Sequence, residues 1–234
     1  MYEIGVAIGE AGRLIARLDP ALTEIVLLSL RVSLTAVCCA SLIGLPLGAA
    51  IAVGQFPGRR VLIVALNALM GLPPVVVGLL VYLMLSRAGP LGQLGILFTP
   101  AAMVVAQTIL VVPIVAALSR QVIEDAWQEY REQLRSLGAG QITSALTLLW
   151  DTRYSLVTIV LAGFGRAAAE VGAVMIVGGN IDGVTRVMTT AIALETSKGD
   201  LPLALGLGII LITLVLTLNA GAYWIKEAAQ RRYG

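Results

Sequence analysis

The chain has 234 residues, of which 58% are hydrophobic and only 13% are charged, and its mean hydropathy is +0.92. A soluble domain would carry about 25% charged residues, so the composition predicts an all-α polytopic membrane protein. The net charge of +2 gives no indication of a nucleic-acid partner. Because the chain has no histidine and its only cysteines are the neighbours Cys38 and Cys39, we expect no metal site and no cofactor.

Five stretches are long and apolar enough to cross a membrane, since a helical span needs about 20 mostly apolar residues. Pro46 is expected to bend the first span or to end it at the membrane surface. The pair Pro73 and Pro74 should kink the second span, and Pro113 the third. Glycines on either side of Pro46 and small residues in 163–169 should let helices pack closely. The predicted spans are 21–53, 61–86, 94–119, 154–178 and 201–225.

The basic residues predict the orientation of these spans, because cytoplasmic loops are enriched in lysine and arginine. The transmembrane domain is predicted to cover 21–226, with the C-terminus in the cytoplasm. In this orientation 120–153 is a cytoplasmic loop, 179–200 is an external loop, and 227–234 is a cytoplasmic tail. Residues 1–20, outside, are predicted to form an amphipathic interfacial helix rather than a cleaved signal peptide. The cytoplasmic basic residues are then Arg59, Arg60, Arg120, Arg131, Arg135, Arg153, Lys226, Arg231 and Arg232, against Arg13, Arg17, Arg87, Arg186 and Lys198 outside.

The predicted cytoplasmic loop contains a polar segment, 129–150, between two hydrophobic blocks. Residues 123–137 favour a helix, because acidic side chains come early and basic side chains come late along it. Gly138 permits a left-handed turn, and 141–149 is predicted to form a second short helix. The apolar side of that helix needs either the membrane surface or a groove in another protein, and both remain open. This side consists of Ile142, Ala145, Leu146 and Leu149.

Two ionisable residues, Arg166 and Glu170, lie near the middle of the fourth predicted span. An intramembrane charge costs about 2.5–3.5 kcal/mol on insertion scales, so neither is expected to face lipid. Four residues apart on a helix, they can face each other. They form either a structural ion pair or a charged lining for an anion path, in which Glu170 limits how tightly Arg166 holds the anion. Arg31, in the first span, is expected to snorkel outwards and to be structural.

The predicted external segment is too long for a tight turn. Its residues 184–196 have helical spacing, and four apolar side chains fall on one side of that helix. The pattern predicts a re-entrant plug over the mouth of a pore. The four side chains are Val184, Val187, Ala191 and Leu194.

Residues 132–139, Glu-Gln-Leu-Arg-Ser-Leu-Gly-Ala, resemble the E-A-A-x-x-x-G loop of ABC-importer permeases. In that family the short helix after the glycine inserts into the ATPase subunit. Gln133 and Leu134 stand where the family usually has alanines, and Trp150 stands where a Leu-Pro pair is common. Other segments resemble molybdate and tungstate permeases in order and spacing, and 188–196 looks most like the tungstate branch. These segments are 44–48, 56–60, 71–74, 166–173, 178–181 and 185–186.

The resemblance implies a type I ABC-importer fold with five transmembrane helices in each chain. It implies a homodimer in the cytoplasmic membrane of a prokaryote, joined by two ATP-binding cassette ATPase subunits and an extracytoplasmic oxyanion-binding protein. The expected cargo is a tetrahedral oxyanion, tungstate first, with molybdate or sulfate as alternatives. The chain has no G-x-x-x-x-G-K-[ST] phosphate loop, so it is not expected to be an enzyme.

The resemblance also gives roles to particular residues. Arg166 and Glu170 are expected to line or gate the path. An ion-coupled secondary carrier remains the rival, although such carriers commonly show internal repeats, and none is evident here. The residues expected to dock the ATPase are Glu132, Ser136, Leu137, Gly138, Ala139 and Ile142, and those expected to contact the binding protein are Asn180, Asp182, Arg186, Glu195 and Lys198.

Overall fold

The computed structural model describes residues 12–13 and 20–233, and this part of the chain contains helices and turns but no β-strand. The predicted interfacial helix at 1–20 lies almost wholly outside the described residues. The helices are α1 (Pro20–Val53), α2 (Arg59–Leu69), α3 (Pro74–Leu85), a single 3₁₀ turn (Gly92–Leu94), α4 (Pro100–Ser136), α5 (Gln141–Asp151), α6 (Arg153–Ala168), α7 (Gly172–Gly178), α8 (Met188–Lys198) and α9 (Leu201–Tyr233).

Three of the described helices are long and apolar enough to cross a membrane by themselves, within α1, α4 and α9. Two broken pairs, α2 with α3 and α5 with α6, would raise the number to five if each pair forms one span. The predicted membrane class is therefore confirmed, and the structure gives between three and five spans.

The breaks between the helices agree with the prediction at Pro73 and Pro74 and differ from it after Ala168. Pro46 neither ends nor interrupts α1, which continues to Val53, and α4 runs through Pro113 to Ser136. The second span is broken before Pro74, as the proline pair predicts. The fourth is broken after Ala168, which the sequence did not predict.

The chain forms two compact units. One contains 73–107 and 167–218 together with the start of α1. In its core the first turns of α1 pack against α8 and α9. The buried core residues are Leu22, Ile25, Met188, Ala191 and Leu207. Ser29 of α1 accepts a hydrogen bond from the Met188 backbone N–H at 2.7 Å. This bond satisfies one of the free N–H groups at the start of α8, where a helix has no internal acceptor.

The other unit contains 36–72, 108–166 and the end of α9. In it the second half of α1 packs closely on α4, because glycines remove the side chains at the contact. A Cβ atom at Gly44 would lie 3.0 Å from Val115, and one at Gly48 would lie 2.7 Å from the Ala116 carbonyl oxygen. The prediction that Gly44 and Gly48 allow close helix packing is therefore confirmed.

Candidate docking loop and charged residues

The cytoplasmic loop predicted from the sequence begins with a hydrogen-bonded helix end. Gly138 has φ +72°, and its N–H donates to the Arg135 carbonyl at 3.0 Å. The Ala139 N–H reaches back to the Leu134 carbonyl at 2.9 Å. These two bonds form a Schellman motif, in which a left-handed residue satisfies the last carbonyl groups of a helix. The predicted helix over 123–137, the left-handed Gly138 and the second helix are all confirmed.

Helix α5 has one buried side and one exposed side. Ser144 and Leu148 are buried within the protein, whereas Ile142 is 79% exposed and Leu146 and Trp150 are also largely exposed. Exposed apolar side chains in a row on a short helix are typical of a contact surface. Arg153 stacks over the Trp150 ring, with its guanidinium carbon 4.8 Å from the ring centroid.

The sequence-predicted docking residues divide between the turn and this exposed surface. Glu132, Ser136, Leu137 and Gly138 are exposed, while Ala139 is half-buried. The Ser136 hydroxyl donates to the Gln133 carbonyl at 2.8 Å. The predicted apolar side of the second helix faces a cavity of about 260 Å³ that also contacts the end of α1 from Pro46 to Gly54. Ile142 and Leu146 border this cavity and remain largely exposed.

One charged cluster was missed by the sequence analysis. Glu124 was predicted only to stabilise the start of a helix, but its carboxylate bonds Arg59 at 2.7 Å through one oxygen and Arg120 through the other. Arg59 precedes Glu124 by 65 residues, so no local pattern joins them. The only available signal was that both arginines and the glutamate fall on the same predicted side of the membrane.

Glu170 lies in the break between α6 and α7 rather than one turn along a continuous helix from Arg166. It is 4% exposed, and its carboxylate accepts the backbone N–H of Ala173 at 3.1 Å. An acidic group at this position is favourable, because the N-terminus of a helix carries a partial positive charge. The expectation that one continuous helix carries both residues is therefore wrong, because α6 ends at Ala168.

Polar side chains from other helices stabilise the same break. Gln107 of α4 donates from its amide nitrogen to the Ala167 carbonyl at 3.0 Å, and Thr189 of α8 donates to the Glu170 carbonyl at 2.7 Å. Both partners are buried. A break in an apolar span survives only where such groups satisfy the freed carbonyls, so this one is a built feature of the fold.

The segment predicted to be external is ordered by a threonine. The buried hydroxyl of Thr185 donates to the Gly178 carbonyl at 2.6 Å and accepts the Ile181 N–H at 2.9 Å. This arrangement holds 178–187 as a turn, so the predicted helix over 184–196 begins only at Met188 and ends at Lys198.

The five residues expected to contact a binding protein differ in exposure. Asp182 and Lys198 are exposed, whereas Asn180 and Arg186 are half-buried and Glu195 is buried. Asp182 pairs with Arg186 at 2.8 Å, and Lys198 pairs with Glu195 at 2.9 Å. In each pair the less exposed residue therefore holds the exposed one. Nearby, Arg31 lines a cavity of about 640 Å³ beside Glu24.

The long apolar helices of the described residues define a multi-pass membrane protein. No family model matches the chain. It is 40% identical to the tungstate uptake system permease protein TupB of Peptoclostridium acidaminophilum, covering 93% of this chain and 95% of the relative. It is 42% identical to a probable anion ABC transporter permease protein of Haloferax volcanii, covering 91% and 94%.

A third relative, the tungstate uptake system permease protein TupB of Campylobacter jejuni, is 37% identical and covers 74% of this chain and 72% of its own length. Permeases named for sulfate and for molybdenum are more distant relatives, for example at 32% and 30% identity. The chain belongs to the family of ABC-transporter permeases for oxyanions, on the branch of the tungstate permeases. The sequence-based resemblance to this family is confirmed.

Proposed function

We propose that this chain is the permease subunit of an ATP-driven importer that carries tungstate across the cytoplasmic membrane by alternating access. The names of two relatives that match it over most of their length support tungstate as the cargo. Molybdate is the second candidate, because a molybdenum transport permease of Escherichia coli also matches over 96% of its length. Tungstate and molybdate have nearly the same size and charge, so a path that passes one passes the other.

The observation that carries the proposal is the docking turn with its exposed apolar helix. The Schellman motif at Gly138 fixes the direction in which α5 leaves α4, and α5 presents Ile142, Leu146 and Trp150 outwards. An apolar helix surface of this kind fits a hydrophobic groove on a partner. The partner is the ATPase subunit, which hydrolyses ATP, while this chain forms the path.

The rest of the proposed complex follows from the ATPase subunit being the partner of α5. Two copies of the chain, related by a twofold axis, bind two ATPase subunits and enclose the path between them. The loop 120–153 and the C-terminus are cytoplasmic, and 179–200 receives the oxyanion-binding protein through Asp182 and Lys198. Arg166 and Glu170 act at the path or its gate.

The proposal predicts how uptake depends on energy. In cells that depend on this chain, tungstate accumulation should stop when the partner ATPase carries an inactivated phosphate loop, because this chain has none. Accumulation should continue while ATP is maintained and the proton gradient is collapsed by an uncoupler. The reverse pattern would identify an ion-coupled carrier. Tungstate, molybdate and sulfate compared as competitors would then rank the cargo.

A further inference from the structure

None of the three members of a charged cluster, Arg59, Arg120 and Glu124, belongs to the predicted docking residues, which lie between Glu132 and Ile142. The Glu124 carboxylate engages both arginines, one on each oxygen. Arg120 is 8% exposed, and the side chains of Arg59 and Glu124 are each 24% exposed. Solvent therefore screens these charges less than it would screen a surface pair. Removing the Glu124 carboxylate takes away the anion that both arginines share.

Arg59 also holds the end of α1. Its Nε donates to the Ile51 carbonyl at 2.8 Å, and one terminal nitrogen lies 3.5 Å from the Ala52 carbonyl oxygen. The last carbonyls of a helix have no internal donor, and Ile51 and Ala52 are buried. The planar guanidinium presents several donors in a fixed geometry, so one side chain serves the end of α1 and Glu124 at once.

Helix α5 borders the same end of α1 by a second route. From Glu124, α4 continues without a break to Ser136, about 18 Å further along the helix axis. After the turn at Gly138, α5 returns to line a cavity with the stretch of α1 from Pro46 to Gly54. The end of α1 is therefore tied to α4 at the cluster and lies against α5 beyond it.

We propose that Glu124 is a positioning residue for transport, which makes the end of α1 follow the docking loop during the ATPase cycle. Arg59 and Arg120 are its partners. This inference rests on the proposed function, because it assigns the cluster to the step between ATP hydrolysis and movement of the path. Without the cluster the docking loop still binds the ATPase, but its motion is transmitted less completely to α1.

The test compares Glu124→Gln with the wild-type complex in proteoliposomes containing the ATPase subunit and the binding protein. The amide has one acceptor oxygen and no charge, so it serves one arginine at most. We expect ATPase subunits to co-purify at the wild-type ratio and hydrolysis to persist. Tungstate imported per ATP hydrolysed should fall roughly fivefold. Asp125→Asn removes the neighbouring exposed carboxylate and should leave that ratio unchanged.

A second variant keeps the test decisive if Glu124→Gln does not accumulate. Arg59→Lys retains a positive charge for Glu124 but loses the fork that also reaches Ile51, so the transport ratio should fall by less. The positioning role would be overturned if the variant that accumulates imports as much tungstate per ATP hydrolysed as the wild type. It would also be overturned if uptake falls only in proportion to the ATPase subunits lost from the complex. A wild-type complex that hydrolyses ATP without importing tungstate would instead overturn the proposed cargo, and the same ratio would then be measured with molybdate.

Discussion

Gly138→Val should reduce tungstate uptake roughly tenfold while the protein remains inserted in the membrane. A left-handed backbone costs a residue with a side chain about 1–2 kcal/mol, and valine is β-branched, so the variant abandons the turn in most molecules. No atom lies within 4 Å of a Cβ at this position, so the effect comes from the backbone and not from a clash. Helix α5 then leaves α4 in another direction, and ATP hydrolysis is no longer coupled to uptake.

Two matched controls isolate the backbone effect. Gly138→Asn should retain most of the uptake, because asparagine tolerates the left-handed region. Gly140→Val places the same side chain two residues away, at φ −71° and with equally open surroundings, and should be nearly neutral. Membrane insertion, ATPase co-purification and uptake are measured for each variant. Wild-type uptake with full ATPase binding in Gly138→Val would show that the docking assignment is wrong.

Arg166→Ala and Glu170→Gln should each lower the yield of folded protein as well as uptake. One alternative that the sequence leaves open is an ion pair between them, and loss of one member of a buried ion pair typically costs about 3–5 kcal/mol, because the remaining charge is uncompensated. Glutamine is the better replacement for Glu170, because its carbonyl oxygen can still accept the Ala173 N–H that the carboxylate accepts. The variant thus changes the charge and leaves the start of α7 intact.

The double variant separates the two roles that the sequence left open. Without either charge, the yield of folded protein should recover if the two charges compensate each other. Uptake per folded molecule should nevertheless stay low, because the proposed path has lost the positive charge that attracts the anion. Thermal unfolding in detergent measures the stability of each variant, and uptake normalised to folded protein measures its transport activity. Full recovery of both would show that the pair only braces the fold.

Local signals predicted the two helices and the turn around Gly138 well. These signals act within a few residues of one another: acidic residues early and Arg135 late along the first helix, the glycine at 138, and the apolar spacing after it. The structure has both helices and the left-handed glycine in place. The family resemblance also rests on short segments, one of which is 132–139, so it too could be predicted from the sequence.

The features that were missed depend on partners far along the chain. The break after Ala168 is stabilised by Gln107 and Thr189, which are not its sequence neighbours. Pro46 is tolerated inside α1, where close packing of Gly44 and Gly48 on α4 holds the helix on both sides of it. The late start of α8 reflects two hydrogen bonds of Thr185, which favour a turn where the apolar spacing alone favoured a helix.

The most direct measurement of the central claim is tungstate uptake into proteoliposomes that contain only this chain, the ATPase subunit and the binding protein. ATP is supplied inside the liposomes, which correspond to the cytoplasmic compartment. Uptake is compared with that of a complex whose ATPase cannot hydrolyse ATP. We predict tungstate accumulation against its gradient that requires hydrolysis and persists with the membrane potential and proton gradient collapsed. Accumulation that ignores ATP hydrolysis and disappears with the ion gradients would contradict the account.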